Sequence, residues 1–195
     1  MNKSCYRFFG GLTLSQERWL NKMSASGYRL VRTEKLLYGF EPCQPGQYQY
    51  CVEYIGHKSK ESADDYARFL EDCGYRVFFK NINLNWNVGK VELRPWAEPG
   101  GRIATNGTTF NRELLIVERE STGRPFDLHT TYEDKRRYYK AMRRPWVFLL
   151  IVSLILAVAM RQPAWSILAA ISLAGIAQFQ MELYRLKKQA EIEEA

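Results

Sequence analysis

The sequence predicts an α+β domain, a two-layer sandwich of a mainly antiparallel sheet and two packed helices, followed by a transmembrane helical hairpin. Three observations predict it. Residues 146–179 carry a single formal charge, Arg161, and Lys and Arg crowd both flanks. Upstream, apolar and aromatic residues alternate with period two along several short stretches, the pattern of strands with one buried face. Twice a stretch of helical spacing ends in Gly-Tyr-Arg, at Gly27-Tyr28-Arg29 and Gly74-Tyr75-Arg76, and a strand pattern follows. Two helix–glycine–strand units in one small domain indicate an imperfect internal repeat.

Residues 1–130 are long enough for one core. A first short strand covers 5–9. Thr13-x-x-Gln16 fits a capping box opening a helix that carries Trp19, Leu20 and Met23 on one side. Gly27 suits the left-handed position that ends it. A strand over 28–32 follows, and Leu36, Tyr38 and Phe40 alternate along the next. A Pro45-Gly46 turn precedes Tyr48, Tyr50, Val52 and Tyr54, again with period two. Ser59 begins a second helix, with Ala63, Tyr66, Phe69, Leu70 and Cys73 directed to the core. Tyr75, Val77 and Phe79 alternate after it. Residues 82–110 are rich in Asn, Gly, Pro and Thr and read as a long loop or an extra hairpin around Val91 and Leu93. A last strand covers 113–120, with Leu115 and Val117 on one face. Residues 131–144 read as a basic juxtamembrane helix, 145–180 as the two-helix hairpin and 181–195 as a charged tail.

The hairpin consists of apolar runs at 146–160 and 164–179, split by Arg161, Gln162 and Pro163. A run of 15 residues covers about 22 Å, short of a bilayer core of about 30 Å. Snorkelling of Arg144 and Arg161, and interfacial Trp146 and Trp165, make up part of the difference. A buried hairpin in a soluble core is the bland alternative, but core helices keep a polar face and these runs are apolar all round. Ser166, Ala170 and Ala174, and likewise Ser153 and Ala157, recur every four residues. Small residues at that spacing let helix backbones approach, within the hairpin first and across a homodimer seam second.

Orientation follows from charge. The chain has 28 Lys+Arg against 21 Asp+Glu, a net +7, yet residues 1–134 hold 18 basic and 17 acidic residues. The excess sits in Lys135, Arg136, Arg137, Lys140, Arg143 and Arg144 before the first apolar run, and in Arg185, Lys187 and Lys188 after the second. Positive residues in short flanks stay cytoplasmic, so a multi-pass protein of the cell membrane with both termini cytoplasmic is expected. The six residues of 135–144 are candidate contacts for anionic lipid, at ~1 kcal/mol per basic residue near the surface. Four cysteines, Cys5, Cys43, Cys51 and Cys73, form no CxxC pair, and a cytoplasmic setting argues for free thiols.

Several of these stretches together resemble the bacterial domain-of-unknown-function 2812 family. They are Phe8-Phe9, Glu17-Arg18-Trp19-Leu20-Asn21-Lys22-Met23, Gly27-Tyr28-Arg29-Leu30, Tyr38-x-Phe40, Gly46-x-Tyr48-x-Tyr50-x-Val52, Phe69-Leu70-Glu71-Asp72-Cys73-Gly74-Tyr75 and Phe126-Asp127-Leu128. The resemblance covers most of residues 5–140 and rests on aromatic core positions and cap glycines. Residues 82–110 are longer than the family's usual connection. Many members continue into C-terminal membrane helices, and members are often encoded beside PadR-type repressors. The resemblance therefore implies a membrane anchor and a regulatory context, and no known activity.

These residues fit three function classes unequally. For an enzyme, Asp127-x-His129 places both side chains on one strand face, where the carboxylate orients the imidazole, but no nucleophile motif accompanies them. His57 beside Lys58 reads as a solvated turn residue. No zinc spacing and no phosphate loop occur, so neither a metal nor a cofactor is expected. For nucleic acid, Tyr48 and Tyr50 are of the right type to stack bases, but the domain is nearly neutral and lacks the electrostatic footprint. A membrane-anchored cytoplasmic binding or regulatory module without catalytic activity, taking a protein partner or small ligand, is the favoured expectation. Trp86 and Trp96, in the long 82–110 segment, are its candidate recognition residues.

Overall fold

The two Gly-Tyr-Arg sites fall where two helices stop and two strands start. The computed structural model describes residues 2–82, 113–124, 126, 128 and 132–191, and the backbone of 86–88, 91–93, 103–104 and 192–193. The chain divides into two compact units, one ending at Thr130 and the other holding the helices after it.

The first unit is a duplicated β-α-β-β arrangement. One half is β1 (Lys3–Tyr6), α1 (Thr13–Ala25), β2 (Tyr28–Thr33) and β3 (Leu37–Pro42). The other is β4 (Tyr48–Tyr54), α2 (Lys60–Asp72), β5 (Arg76–Lys80) and, after an inserted β6 (Trp86–Val88), β7 (Val91–Leu93) and β8 (Ile103–Ala104), the strand β9 (Leu114–Glu120). Each half forms its own three-stranded antiparallel sheet with its third strand in the middle, β1-β3-β2 and β4-β9-β5. The insertion forms a third small antiparallel sheet, β6-β7-β8, with Trp86 opposite Leu93. Of the two readings of 82–110, a long loop or an extra hairpin around Val91 and Leu93, the pairing of β6 with β7 corresponds to the second.

The glycines that end the helices are equivalent in the two halves. Gly27 has φ +80° and Gly74 φ +87°, the left-handed region that side chains disfavour. At α2 the Gly74 N–H donates to the Glu71 carbonyl and Tyr75 N–H to the Leu70 carbonyl, which closes the helix as a Schellman motif. Ser59 caps the other end, its hydroxyl accepting from Ser62 N–H at 3.2 Å.

The start of α1 departs from expectation. Leu12 is the N-cap and no side chain caps it. Thr13 is already inside the helix, and the Gln16 amide instead donates to the Tyr38 hydroxyl at 3.1 Å, both side chains being buried. The buried Tyr38 hydroxyl takes the Gln16 amide as its partner, and the helix start goes without a side-chain cap.

A polar stripe on α1 replaces a fourth strand of the second sheet. Asn21 both donates to the Tyr50 carbonyl (2.9 Å) and accepts from Tyr50 N–H (2.8 Å). One turn on, the Ser24 hydroxyl donates to the Tyr48 carbonyl (2.6 Å) and accepts from Tyr48 N–H (3.3 Å). One turn back, Glu17 accepts from Val52 N–H (3.1 Å). Helical spacing thus meets strand spacing, and the outer edge of β4 is satisfied without pairing to another strand.

The core lies on both faces of β4-β9-β5. Ala63, Ala67 and Leu70 of α2 pack with Cys51, Leu115 and Val117 on one face. Tyr50, Val52, Leu114 and Ile116 are also buried, facing the other way along the same strands. The expectation of one buried face fails for this sheet, because the first half covers the side that α2 leaves open. Two residues assigned to the core of α2 are also outside it. Phe69 is 55% exposed, and Cys73 is exposed where the helix ends.

The second unit is a pair of long helices, α3 (Tyr132–Met160) and α4 (Pro163–Glu193), of 29 and 31 residues and about 43 and 46 Å. α3 continues through Pro145, so the basic segment and the first apolar run are one helix. α4 likewise extends through most of the charged tail. Arg161 closes α3 at φ +47°, its N–H donating to the Ala157 carbonyl at 3.1 Å, and Pro163 opens α4. The seam consists of Tyr139, Met142 and Ser153 against Ala169, Ser172, Phe179 and Leu186, all buried. A Cβ on Gly175 would lie 2.5 Å from the Trp146 ring, so glycine is what lets the indole in. Ser166, Ala170 and Ala174 are exposed and lie outside this seam. The four-residue small stripe of α4 is therefore not what packs the hairpin; the neighbouring face is, since it also offers Phe179 and Leu186.

Two outcomes follow. Gly27→Ala and Gly74→Ala should each lower stability by about 1–2 kcal/mol. The loss is expected to be larger at Gly27, whose Cβ would also meet the Cys43 carbonyl at 3.1 Å, and urea midpoints of the detergent-solubilised chain will rank them. Asn21→Ala strips both backbone groups of Tyr50 of their partner and should cost about 1–3 kcal/mol, against a few tenths for the exposed neighbour Lys22→Ala.

Candidate functional site

The ionisable groups buried in the first unit are the natural place to look for chemistry. Glu118, on β9, is 2% exposed. Arg29 of β2 donates to it through Nε at 2.9 Å and Nη2 lies 2.8 Å from the same oxygen, Oε1. The Tyr50 hydroxyl donates to its other oxygen at 2.7 Å and itself accepts from Leu30 N–H at 2.8 Å. The Arg29 guanidinium also lies 4.2 Å from the centre of the Tyr48 ring. Burial first, then the bond to Glu118, push the Tyr50 phenol well above its ordinary range. By strand register Glu118 stands opposite Arg76 of its own half, yet its charge partner comes from the other half. The constellation ties the two sheets together, and its donors and acceptors are engaged with one another.

The other buried groups behave alike. Tyr66 donates to Glu53 at 2.8 Å, and burial with that bond raises the phenol. Glu113 accepts from Ile82 N–H at 3.0 Å. The Lys80 ammonium donates to the Glu34 and Lys35 carbonyls and lies 4.1 Å from the centre of the Tyr38 ring. Burial lowers its pKa to about 8. Sequence patterns did not nominate Arg29, Glu118 or Lys80 for a site, because the side-chain hydrogen bonds that hold each of them reach 45 or more positions along the chain.

The residues nominated from sequence are placed unevenly. Trp86 lies in β6, while Trp96, Asp127 and His129 fall outside the described residues. His57 is exposed, with its ring 5.8 Å from that of Tyr54. All four cysteines are free thiols. Among the described residues no group of three His, Cys, Asp or Glu is placed to hold a metal ion.

The six basic residues of 135–144 all lie on α3, and the structure sorts them. Arg136 pairs with Glu133 at 3.4 Å, and Arg143 donates to Gln180 of α4. Arg137, Lys140 and Arg144 are exposed. On α4, Arg185 pairs with the buried Glu182 at 3.3 Å and Lys187 with Glu191 at 3.5 Å. Because α3 and α4 run antiparallel through a tight turn, these cations gather at the open end of the hairpin, and Arg161 alone marks the closed end. Both helices are long and apolar enough to cross a membrane.

The match to known families settles the affiliation. The family model described as "Protein of unknown function (DUF2812)" matches residues 14–151. The chain belongs to this family. The matched span runs from α1 through the basic turns of α3 and into its apolar part, so within it the α/β unit and the start of the hairpin go together. No curated protein and no solved structure matches the chain.

The lowered pKa of Lys80 fixes the sign of one pH effect. Below pH 8 the lysine is charged in both folded and unfolded chains, and burial opposes folding. Between about 8 and 10.5 the folded chain has lost the proton while the unfolded chain still binds it, so stability contributed at this site rises with pH. The stability of the wild type relative to Lys80→Met, from urea midpoints at pH 7, 9 and 10.5, is expected to increase across that window.

Proposed function

We propose that this DUF2812 protein is a membrane-anchored, non-catalytic binding or regulatory module. In this reading α3 and α4 cross the cell membrane as a hairpin, both termini are cytoplasmic, and the α/β unit takes a protein partner or small ligand at the inner face.

The observation that carries the anchoring is the outward face of the hairpin. Phe148 is 70% exposed, Ile155 61%, Val158 80% and Ile167 62%. A soluble core helix buries such residues, whereas lipid covers them here. The orientation is supported by the gathering of Lys and Arg at the open end. The binding role is supported by the state of the buried polar groups, which are engaged with one another and with backbone rather than presented to a substrate, and by an insertion with its own small sheet and Trp86.

The full chain should resist carbonate extraction. Cys73, the exposed thiol of the α/β unit, should stay unlabelled by an impermeant thiol reagent in intact cells and label after lysis. Recovery in the soluble fraction would end the anchoring proposal, and labelling of intact cells would reverse the topology. Loss of function on Asp127→Ala or His129→Ala at normal expression and location would favour the enzyme alternative instead.

A further inference from the structure

One face of α3 changes from charged to apolar without a break. At about 100° per residue, Arg137, Lys140, Arg144, Phe148, Ile155 and Val158 share a stripe about 80° wide. The first three side chains are exposed cations, and among the described residues none of them is paired with an acid. The last three are 70%, 61% and 80% exposed. The opposite face holds the buried Tyr139, Met142 and Ser153 of the hairpin seam. Arg136 and Arg143 lie off the stripe and are engaged, with Glu133 and Gln180.

We propose that this stripe seats an anionic phospholipid. Its phosphate lies against Arg137, Lys140 and Arg144, and an acyl chain runs along Phe148 toward Val158. The proposal rests on the hairpin crossing the membrane and adds which residues select the lipid. Two features argue for a lipid as the occupant. The charge is complementary to a phosphate, and the apolar continuation spans about 21 Å from Arg144 to Val158, enough for an acyl chain of one leaflet of about 15 Å. Each cation at such a surface contributes attraction that salt weakens. The division of the cluster is the specific content: three of the six basic residues of 135–144 carry selectivity, and the engaged Arg136 and Arg143 do not.

The test uses the full chain reconstituted in phosphatidylcholine vesicles, with flotation as the first readout. Spin-labelled phosphatidylglycerol and phosphatidylcholine are then compared for the fraction immobilised on the protein. The wild type should prefer phosphatidylglycerol by roughly five-fold or more, the weight of one surface cation, and high salt should reduce this. R137Q/K140Q/R144Q should bring the two lipids level, while R136Q/R143Q keeps the preference. If the triple variant fails to fold by circular dichroism, Lys140→Glu alone should still lower the preference. Equal immobilisation of both lipids by the wild type, or an equal loss in R136Q/R143Q, would overturn the proposal while leaving the anchor intact. Failure to float with the vesicles would remove the membrane reading and this proposal with it.

Discussion

A buried carboxylate holds the α/β unit together. Glu118 sits on the central strand of the second sheet, and an isolated charge there would be heavily penalised. Arg29 and Tyr50 compensate it, and they come from the two different halves of the duplication. The buried Glu118 carboxylate therefore has its charge partner only when the first sheet is docked on the second. The same contact orders the backbone, since the Tyr50 hydroxyl that donates to Glu118 accepts from Leu30 N–H. Charge, hydrogen bond and sheet register are thus fixed by one constellation, and the halves do not slide independently.

Helix α1 supplies the complementary constraint. An open strand edge invites pairing with other chains, and β4 would present one. Glu17, Asn21 and Ser24 close it with side chains rather than with a strand. This explains why those positions are polar on a helix whose other side carries Leu20 and Met23 into the core. The hairpin solves a different problem, since its two helices satisfy their own backbones and leave only side-chain packing to settle. Ser153 and Ser172, both fully buried, hand their hydroxyls to carbonyls of their own helices and so pack as small residues.

Local signals were legible where the partner is local. Gly27, Gly74 and Ser59 act through backbone a few residues away, and their roles follow from residue type. The alternation at Tyr50 and Val52 and the apolar runs of the hairpin were equally readable, as was the collection of basic residues in 135–144. What depends on a distant partner was not. Gln16 suits a capping box in sequence but is drawn to Tyr38, and period two along β4 gives no sign that Cys51 and Glu53 are buried as well. Phe69 looks like a core residue by type, yet it is exposed. The small stripe at Ser166, Ala170 and Ala174 is more regular than the true seam, which combines Ala169, Ser172 and Gly175 with large residues. Within the basic cluster, Arg136 could be paired with Glu133 by its spacing, but the engagement of Arg143 needed the second helix.

The insertion between β5 and β9 leaves and re-enters the sheet at nearly one point. Glu113 N–H donates to the Lys80 carbonyl at 3.1 Å, and Ile82 N–H donates to the Glu113 carboxylate at 3.0 Å. The chain between those residues is a closed excursion with its doorway bolted from inside the sheet. Closure entropy grows only slowly with loop length, at about 0.6 kcal/mol per doubling. Within one scaffold, then, a change in the length of that excursion costs little, because the strands on either side are joined to each other before the chain departs.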